Sequence, residues 1–200
     1  MSNFYLRLLI LPFLLFTAVL LLIHAQPYND HELRAVLLPE GCPAPCFMGI
    51  RPGVTTVDEA MKLLAANGWV DQINNQSSYI SWKWRDQKPP WISQNEQGEI
   101  RLTDQRVSTI TIYTDLPLGN TRLAFGLPDV EMVDPEKDQN NPISLYMAFY
   151  NQKGLLFENW QPCYVTEPLR TTVMIKMSEA STTKAFSKPI NSLTDLFRAC

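Results

Sequence analysis

The stretch from Leu8 to Ile23 constrains this chain most, because it contains no charged side chain and one polar side chain, Thr17. Arg7 precedes it and acidic residues follow it. Basic residues are enriched on the cytoplasmic side of membrane-directed segments, so this asymmetry places the N-terminus inside and the remainder outside. The length lies between a signal-peptide apolar region and a spanning helix. We therefore expect either a retained anchor or a signal cleaved after Ala25; a buried core helix is the remaining interpretation.

This interpretation divides the chain into a membrane anchor or signal peptide (1–25), a tether (26–40) and an extracytoplasmic domain (41–200). Hydrophobic residues make up 46% of the 200 residues and charged residues 18%, as in a globular domain with a core. The net charge is −3, and the sequence has no run of Lys or Arg. We therefore expect a membrane association through the N-terminal segment and no nucleic-acid partner.

The four cysteines, Cys42, Cys46, Cys163 and Cys200, all lie in the part that we expect outside the cytoplasm. An even number in an oxidising compartment indicates disulfides. Of the three pairings we favour Cys42–Cys46 with Cys163–Cys200, because each closes a contiguous segment. Zinc binding by "CPAPC" is an alternative, but His31 is the one histidine in the sequence after residue 25. A redox pair would have two intervening residues. We expect no metal and no cofactor.

One helix is strongly indicated after the first two cysteines. Thr56 and Glu59 have the spacing of a capping box, in which each side chain accepts a hydrogen bond from the other residue's backbone N–H. Val57, Met61 and Leu64 recur on one helical face. Gly68 is predicted to end the helix.

Alternating apolar and polar residues predict strands within 79–85, 95–102, 106–114, 143–159 and 171–178. In the third of these, Ile110 and Ile112 face one way, while Val107 and Tyr113 face the other. Short helices are predicted over 118–125 and 192–200. Strands outnumber helices and their connections are short, so we predict an α+β fold. It would have an antiparallel sheet, one well-defined helix and one or two short helices, preceded by the N-terminal transmembrane or signal helix.

Two segments carry a family resemblance. "GIRPGVTTVDEA" (49–60) resembles the helix entry of the small outer-membrane assembly lipoproteins (SmpA/BamE-like), and "FGLPD" (125–129) is similar to the segment that closes a helix in that family. The related β-lactamase-inhibitor-protein-like fold repeats a helix-plus-sheet unit twice. The resemblance implies surfaces for protein contact and no catalytic residues. The whole chain also resembles exported bacterial proteins for which no activity is implied.

Catalytic motifs are missing from the sequence: it has no Gly-x-Ser-x-Gly, P-loop, dinucleotide-binding glycine pattern or His-Glu-x-x-His. We therefore name no catalytic residue. Four acidic residues flank the predicted helix over 118–125, and we interpret them as solvated loop side chains: Asp115, Asp129, Glu131 and Asp134. Two carboxylates can suffice for glycoside hydrolysis, so a hydrolase remains an alternative.

Tryptophan is the other conspicuous residue, with five in the chain. Trp82 and Trp84 are predicted on the inner face of the sheet, where large rings bury much area. Trp91, which follows "KPP", is a candidate exposed anchor for a partner. We expect a membrane-tethered or secreted domain of unknown specific activity, binding an envelope or cell-surface protein or serving envelope assembly. The alternative is an extracytoplasmic, carboxylate-dependent hydrolase.

Overall fold

The computed structural model describes residues 2–25, 30–136, 143–162, 167–179 and 188–189. The chain divides into two units, residues 1–31 and 32–200. The first contains helix α1, Ser2–Ala25, which includes Pro12. Among the described residues, no helix combines the length and the apolar character that a membrane crossing requires.

Within its described residues, the second unit contains one sheet of nine antiparallel strands and three α-helices. The helices are α2 (His31–Leu37, beginning at the boundary of the units), α3 (Val57–Ala66) and α4 (Leu118–Phe125). The strands are β1 (Val70–Asn75), β2 (Tyr79–Trp84), β3 (Gly98–Thr103), β4 (Arg106–Pro117), β5 (Val130–Glu136), β6 (Ile143–Tyr150), β7 (Leu155–Pro162), β8 (Thr172–Ser178) and the two-residue β9 (Lys188–Pro189). The predicted α+β class with an antiparallel sheet is confirmed.

The strand order is β1-β2-β3-β4-β8-β7-β6-β5-β9, and neighbouring strands are antiparallel. Helix α3 is followed by the four-stranded meander β1–β4, and helix α4 by the four-stranded meander β5–β8. The two meanders join where β4 pairs with β8, with Ile112 opposite Ile175 and Tyr113 opposite Met174. Two successive helix-plus-meander units therefore share one continuous sheet.

The core lies on one face of this sheet, which we call the inner face. Alternate strand residues such as Ile80, Ile110 and Ile175 are fully buried there, in one cluster with Leu64 of α3 and Phe125 of α4. The intervening residues point to the opposite side, which we call the outer face. The helices thus cover the inner face, so the outer face is the side on which the sheet can present a functional surface.

Helix α3 begins as the sequence predicts. Thr56 is the N-cap: its hydroxyl accepts a hydrogen bond from the backbone N–H of Glu59, and Glu59 Oε2 accepts one from the backbone N–H of Thr56. The end differs from the prediction, because the C-cap is Asn67 rather than Gly68. Asn67 Oδ1 accepts a hydrogen bond from the N–H of Trp69, and this turn leads directly into β1.

Part of the predicted tether belongs to the domain. Leu33 and Leu37 of α2 are buried in the same core as the sheet. Their spacing of four residues places both on one face of the helix. Residues 31–37 therefore pack as a structural element rather than as a linker.

The alternation in β4 is interrupted near its start. Val107 is fully buried, although strict alternation predicts it on the face of Tyr113. The pairing with β3 shifts register here, since Arg101 lies opposite Thr109 but Leu102 lies opposite Val107. A residue inserted on one strand reverses the alternation, and this turns Val107 inward.

Candidate functional site

Cys42 and Cys46 form a disulfide, which confirms the first predicted pair. Because both sulfurs are bonded to each other, this pair supplies no thiolate to a zinc ion. Pro45, between them, lies against the turn before β7: a Cβ added at Gly154 would come within 2.7 Å of its ring. The disulfide-closed loop is thereby packed onto the second meander. Cys163 and Cys200 lie outside the described residues, so their pairing stays a prediction.

Trp91 is half-buried and packs against the core. Its indole Nε1 is buried and has no hydrogen-bond partner. The Trp91 carbonyl accepts a hydrogen bond from the N–H of Asp115, and the N–H of Ser93 donates to the carbonyl of Tyr113. The segment 91–93 thus continues the sheet alongside β4 where β3 no longer accompanies it. The predicted partner-binding role of Trp91 stays a prediction.

Two aromatic side chains of the sheet are more exposed than Trp91, and both lie on the outer face. Tyr113 of β4 is 37% exposed and Trp160 of β7 is 49% exposed. Both line a cleft of about 350 Å³, together with Met174, Glu96, Asp115 and Glu158. We call this the aromatic cleft.

The strand register explains why these residues meet. Tyr113 lies opposite Met174, and Met174 lies opposite Glu158, so the three form a row across β4, β8 and β7. Adjacent strands are about 4.8 Å apart, so the row spans roughly 10 Å. Trp160 follows Glu158 by two residues and therefore faces the same side.

A second cleft, of about 430 Å³, lies beside the first, over β2 and β3. The two clefts share Glu96 and Tyr113. Tyr79, Asn95 and Glu99 also line the second cleft. Residues 93–97, which leave the sheet after Ser93, thus contribute side chains to both clefts. The two clefts therefore lie next to each other on the outer face, and we call them together the trough.

The charges in the aromatic cleft are of two kinds. Glu158 is nearly buried, and its oxygens accept hydrogen bonds from Lys176 Nζ at 2.8 and 2.9 Å, an ion pair between neighbouring strands. Glu96 and Asp115 have no Lys or Arg within ion-pair distance among the residues that the structure describes. None of the described residues that line the cleft is basic. As far as the described residues go, the cleft therefore holds negative charge that no basic side chain compensates.

Burial and the nearby carboxylates change the acidity of the Tyr113 phenol. Its pKa is raised above the ordinary tyrosine value, first by burial and then by the charges of Glu99 and Glu96. A tyrosinate at this position would be desolvated and would lie among carboxylates. The phenol therefore stays neutral, and the ring keeps the quadrupole of a neutral aromatic side chain.

The four acidic residues between positions 115 and 134 do not form one site. Asp115 lines the aromatic cleft, whereas Asp129 Oδ2 accepts a hydrogen bond from the backbone N–H of Asn151 at 2.7 Å. Glu131 lies on the inner face, where it pairs with Arg122 and accepts a 2.9 Å hydrogen bond from the Tyr146 hydroxyl. Asp134 is exposed on β5. In the described part of the chain, no three acidic, histidine or cysteine side chains are grouped so that they could hold a metal ion.

Sequence reasoning did not single out Tyr113 and Trp160 as site residues, although a signal was present. Phe157 and Asn159 alternate with Glu158 and Trp160, so a buried Phe157 requires Trp160 on the other face. What the sequence does not contain is the pairing of β4 with β8, which brings Tyr113 next to Met174.

No protein-family model matches the chain, and no characterised protein matches it in sequence. The crystal structure of a cysteine-rich secretory protein from Staphylococcus aureus subsp. aureus Mu50 is similar at a TM-score of 0.31 and 7% sequence identity. The match covers 72% of this chain and 58% of that chain. At this level the similarity carries no argument about fold or function.

Proposed function

We propose that the chain is a membrane-tethered or secreted protein whose domain acts outside the cytoplasm as a protein-binding or envelope-assembly module. The uncharged stretch behind Arg7 supports export. The disulfide between Cys42 and Cys46 supports the same compartment, because disulfides persist where the surroundings are oxidising. Whether the N-terminal helix anchors the chain or is removed does not change the side on which the domain works.

The observation that carries the binding function is the aromatic cleft on the outer face. Tyr113 and Trp160 expose large parts of their rings there, while the helices occupy the inner face. Exposed tyrosine and tryptophan beside a cleft are typical of the residues that contribute most to protein–protein affinity. The trough that extends from the cleft offers room for an extended segment of a partner.

A cross-linking experiment on intact cells tests the location and the surface together. A cross-linker that does not pass membranes is added to cells that produce the full chain. The chain is then purified, and the proteins cross-linked to it are identified by mass spectrometry. We expect a discrete envelope or cell-surface protein. The adduct should be lost in Trp160→Ala and in Tyr113→Ala.

The matched control is Leu127→Ala, which truncates another apolar side chain, 83% exposed, at the end of α4 rather than on the outer face. It should leave the adduct unchanged. Equal loss in all three variants, or no adduct with the unaltered chain, would contradict the proposal. Hydrolysis of a glycoside that falls in Asp115→Asn and in Glu96→Gln would favour the carboxylate-dependent hydrolase instead.

A further inference from the structure

We infer that the aromatic cleft binds a basic side chain, arginine or lysine, presented by an extended segment of the partner protein. This inference rests on the proposed function of the outer face and names the chemistry of its ligand. The ligand class follows from three features of the cleft: its aromatic walls, the carboxylates that no described basic residue pairs, and the trough in which it lies.

The aromatic walls suit a cation. Tyr113 is the β4 member of the row that contains Met174, and Trp160 stands on β7 two residues after the row's other end, Glu158. Arginine and lysine are attracted to the faces of tryptophan and tyrosine rings by the ring quadrupole. Met174, between them, provides a polarizable, adaptable floor. A guanidinium or ammonium group with a long apolar stem matches this combination better than a compact neutral group does.

The carboxylates supply the charge complementarity. Glu158 is already paired with Lys176, so it adds little net charge. Glu96 and Asp115 line the same cleft and have no basic partner within the described part of the chain. An incoming cation would form ion pairs with these two carboxylates, whereas an anionic ligand would be repelled.

The trough favours an extended segment over an isolated small cation. The second cleft shares Glu96 and Tyr113 with the aromatic cleft and adds Glu99, Asn95 and Tyr79. In an extended chain, alternate side chains point to the same side. A segment with basic residues at alternate positions could therefore place one in the aromatic cleft and the next towards the second cleft.

The test uses the full chain, purified in a nonionic detergent, and a defined probe. The probe is a blocked hexapeptide of alternating arginine and threonine, and its control replaces each arginine with citrulline, which has the same shape without the charge. Binding is measured by calorimetry and by the change in tryptophan fluorescence. We expect the arginine peptide to bind about tenfold more tightly than the citrulline peptide, and its affinity to fall as salt rises.

Variants locate the binding. Glu96→Gln and Asp115→Asn should each weaken the arginine peptide about three- to tenfold, and so should Trp160→Ala. The matched control is Asp104→Asn, which removes one acidic charge from the turn at the other end of β4. It should leave the affinity unchanged. Unaltered melting midpoints show that each variant is folded, and Tyr113→Phe, which keeps the ring, should bind like the unaltered chain.

The outcomes separate the inference from the proposed function. Equal affinity for the two peptides, or equal weakening by Asp104→Asn and Asp115→Asn, would overturn the inference. Tight binding of a neutral oligosaccharide without binding of the arginine peptide would also overturn it. If the Trp160-dependent cross-link to a partner persists in either case, the proposed function stands without its basic ligand. If the chain binds the arginine peptide selectively but no cross-linked partner is found, the inference about a basic ligand stands. The proposal that the chain binds an envelope protein is then contradicted.

Discussion

Single residues in this domain are constrained where the backbone passes close to a large side chain. Gly98, at the start of β3, lies directly opposite Trp82 of β2. A Cβ added at Gly98 would come within 2.2 Å of Trp82 Cε2 and Cζ2. The indole ring thus occupies the space that any other residue at position 98 would need. Trp82 in turn packs edge-to-face on Trp84 at 5.3 Å between ring centroids, so a displacement of one ring affects both.

Gly98→Ala is therefore expected to lower the free energy of unfolding by about 1–3 kcal/mol, because the added methyl group overpacks the core. Gly68→Ala is the matched control, since a Cβ at Gly68 meets no atom within 4 Å. It should change stability by less than about 1 kcal/mol, in the stabilising direction. Chemical denaturation followed by fluorescence measures both. A Gly98→Ala variant as stable as the unaltered chain would show that Trp82 does not lie over the glycine.

At the scale of elements, α3 shows how local signals define a helix. The capping box of Thr56 and Glu59 satisfies backbone N–H groups at the first turn, and Ala60 and Leu64 face the core. Thr56→Ala should cost about 1 kcal/mol, because it removes the N-cap acceptor. Leu64→Ala should cost more, about 2–5 kcal/mol, because it leaves a cavity at a fully buried position. Thermal melts of the two variants measure the difference, and the reverse order would contradict the packing of this face.

The same capping box predicts a pH dependence. The pKa of Glu59 is lowered, first by the hydrogen bond from the backbone N–H of Thr56 and then by the Thr56 hydroxyl. A lowered folded-state pKa stabilises the fold above the ordinary glutamate pKa, and this contribution is lost as the pH falls through the lowered value. In Glu59→Gln, we expect the stability difference from the unaltered chain to shrink on acidification. A difference that is constant between neutral and acidic pH would contradict this.

For the whole molecule, the pairing of β4 with β8 decides how the two meanders behave. Ile112 and Ile175, which face each other there, are both fully buried in the core shared by α3 and α4. Because one core spans both meanders, the domain should unfold as one cooperative unit. Ile175→Val should lower the free energy of unfolding by about 0.5–1.5 kcal/mol without splitting the transition. Coincident curves by circular dichroism and tryptophan fluorescence check this; two separate transitions would show independent meanders.

The second predicted disulfide also belongs to this scale, because it would connect the chain after β7 to the last residue. A Cys163–Cys200 bond should stabilise the domain by about 2–4 kcal/mol in the chain-entropy model, and Cys200→Ser should lose that amount. Cys46→Ser, which opens the short loop confirmed here, should lose less. Non-reducing peptide mapping identifies the pairs. A peptide joining Cys163 to Cys42 would refute the assignment.

The sequence by itself determined the elements whose signals are local. The capping box predicts the start of α3, the short helix predicted over 118–125 is α4, and the alternation within 171–178 predicts β8. The short spacing of Cys42 and Cys46 predicts their disulfide. These features depend on backbone geometry within a few residues, and so they can be derived without knowledge of distant contacts.

The tertiary structure alone decided the features that depend on distant partners. Strand β1 was not predicted, because "VDQINN" lies at an edge of the sheet, where one partner strand suffices and polar side chains are tolerated. Val107 turns inward only because β3 shifts register beside it. The aromatic cleft exists because β8 inserts between β4 and β7, so that Tyr113 and Trp160 line the same cleft on the outer face. Strand order and register arise from long-range pairing and shared burial, which no local periodicity encodes.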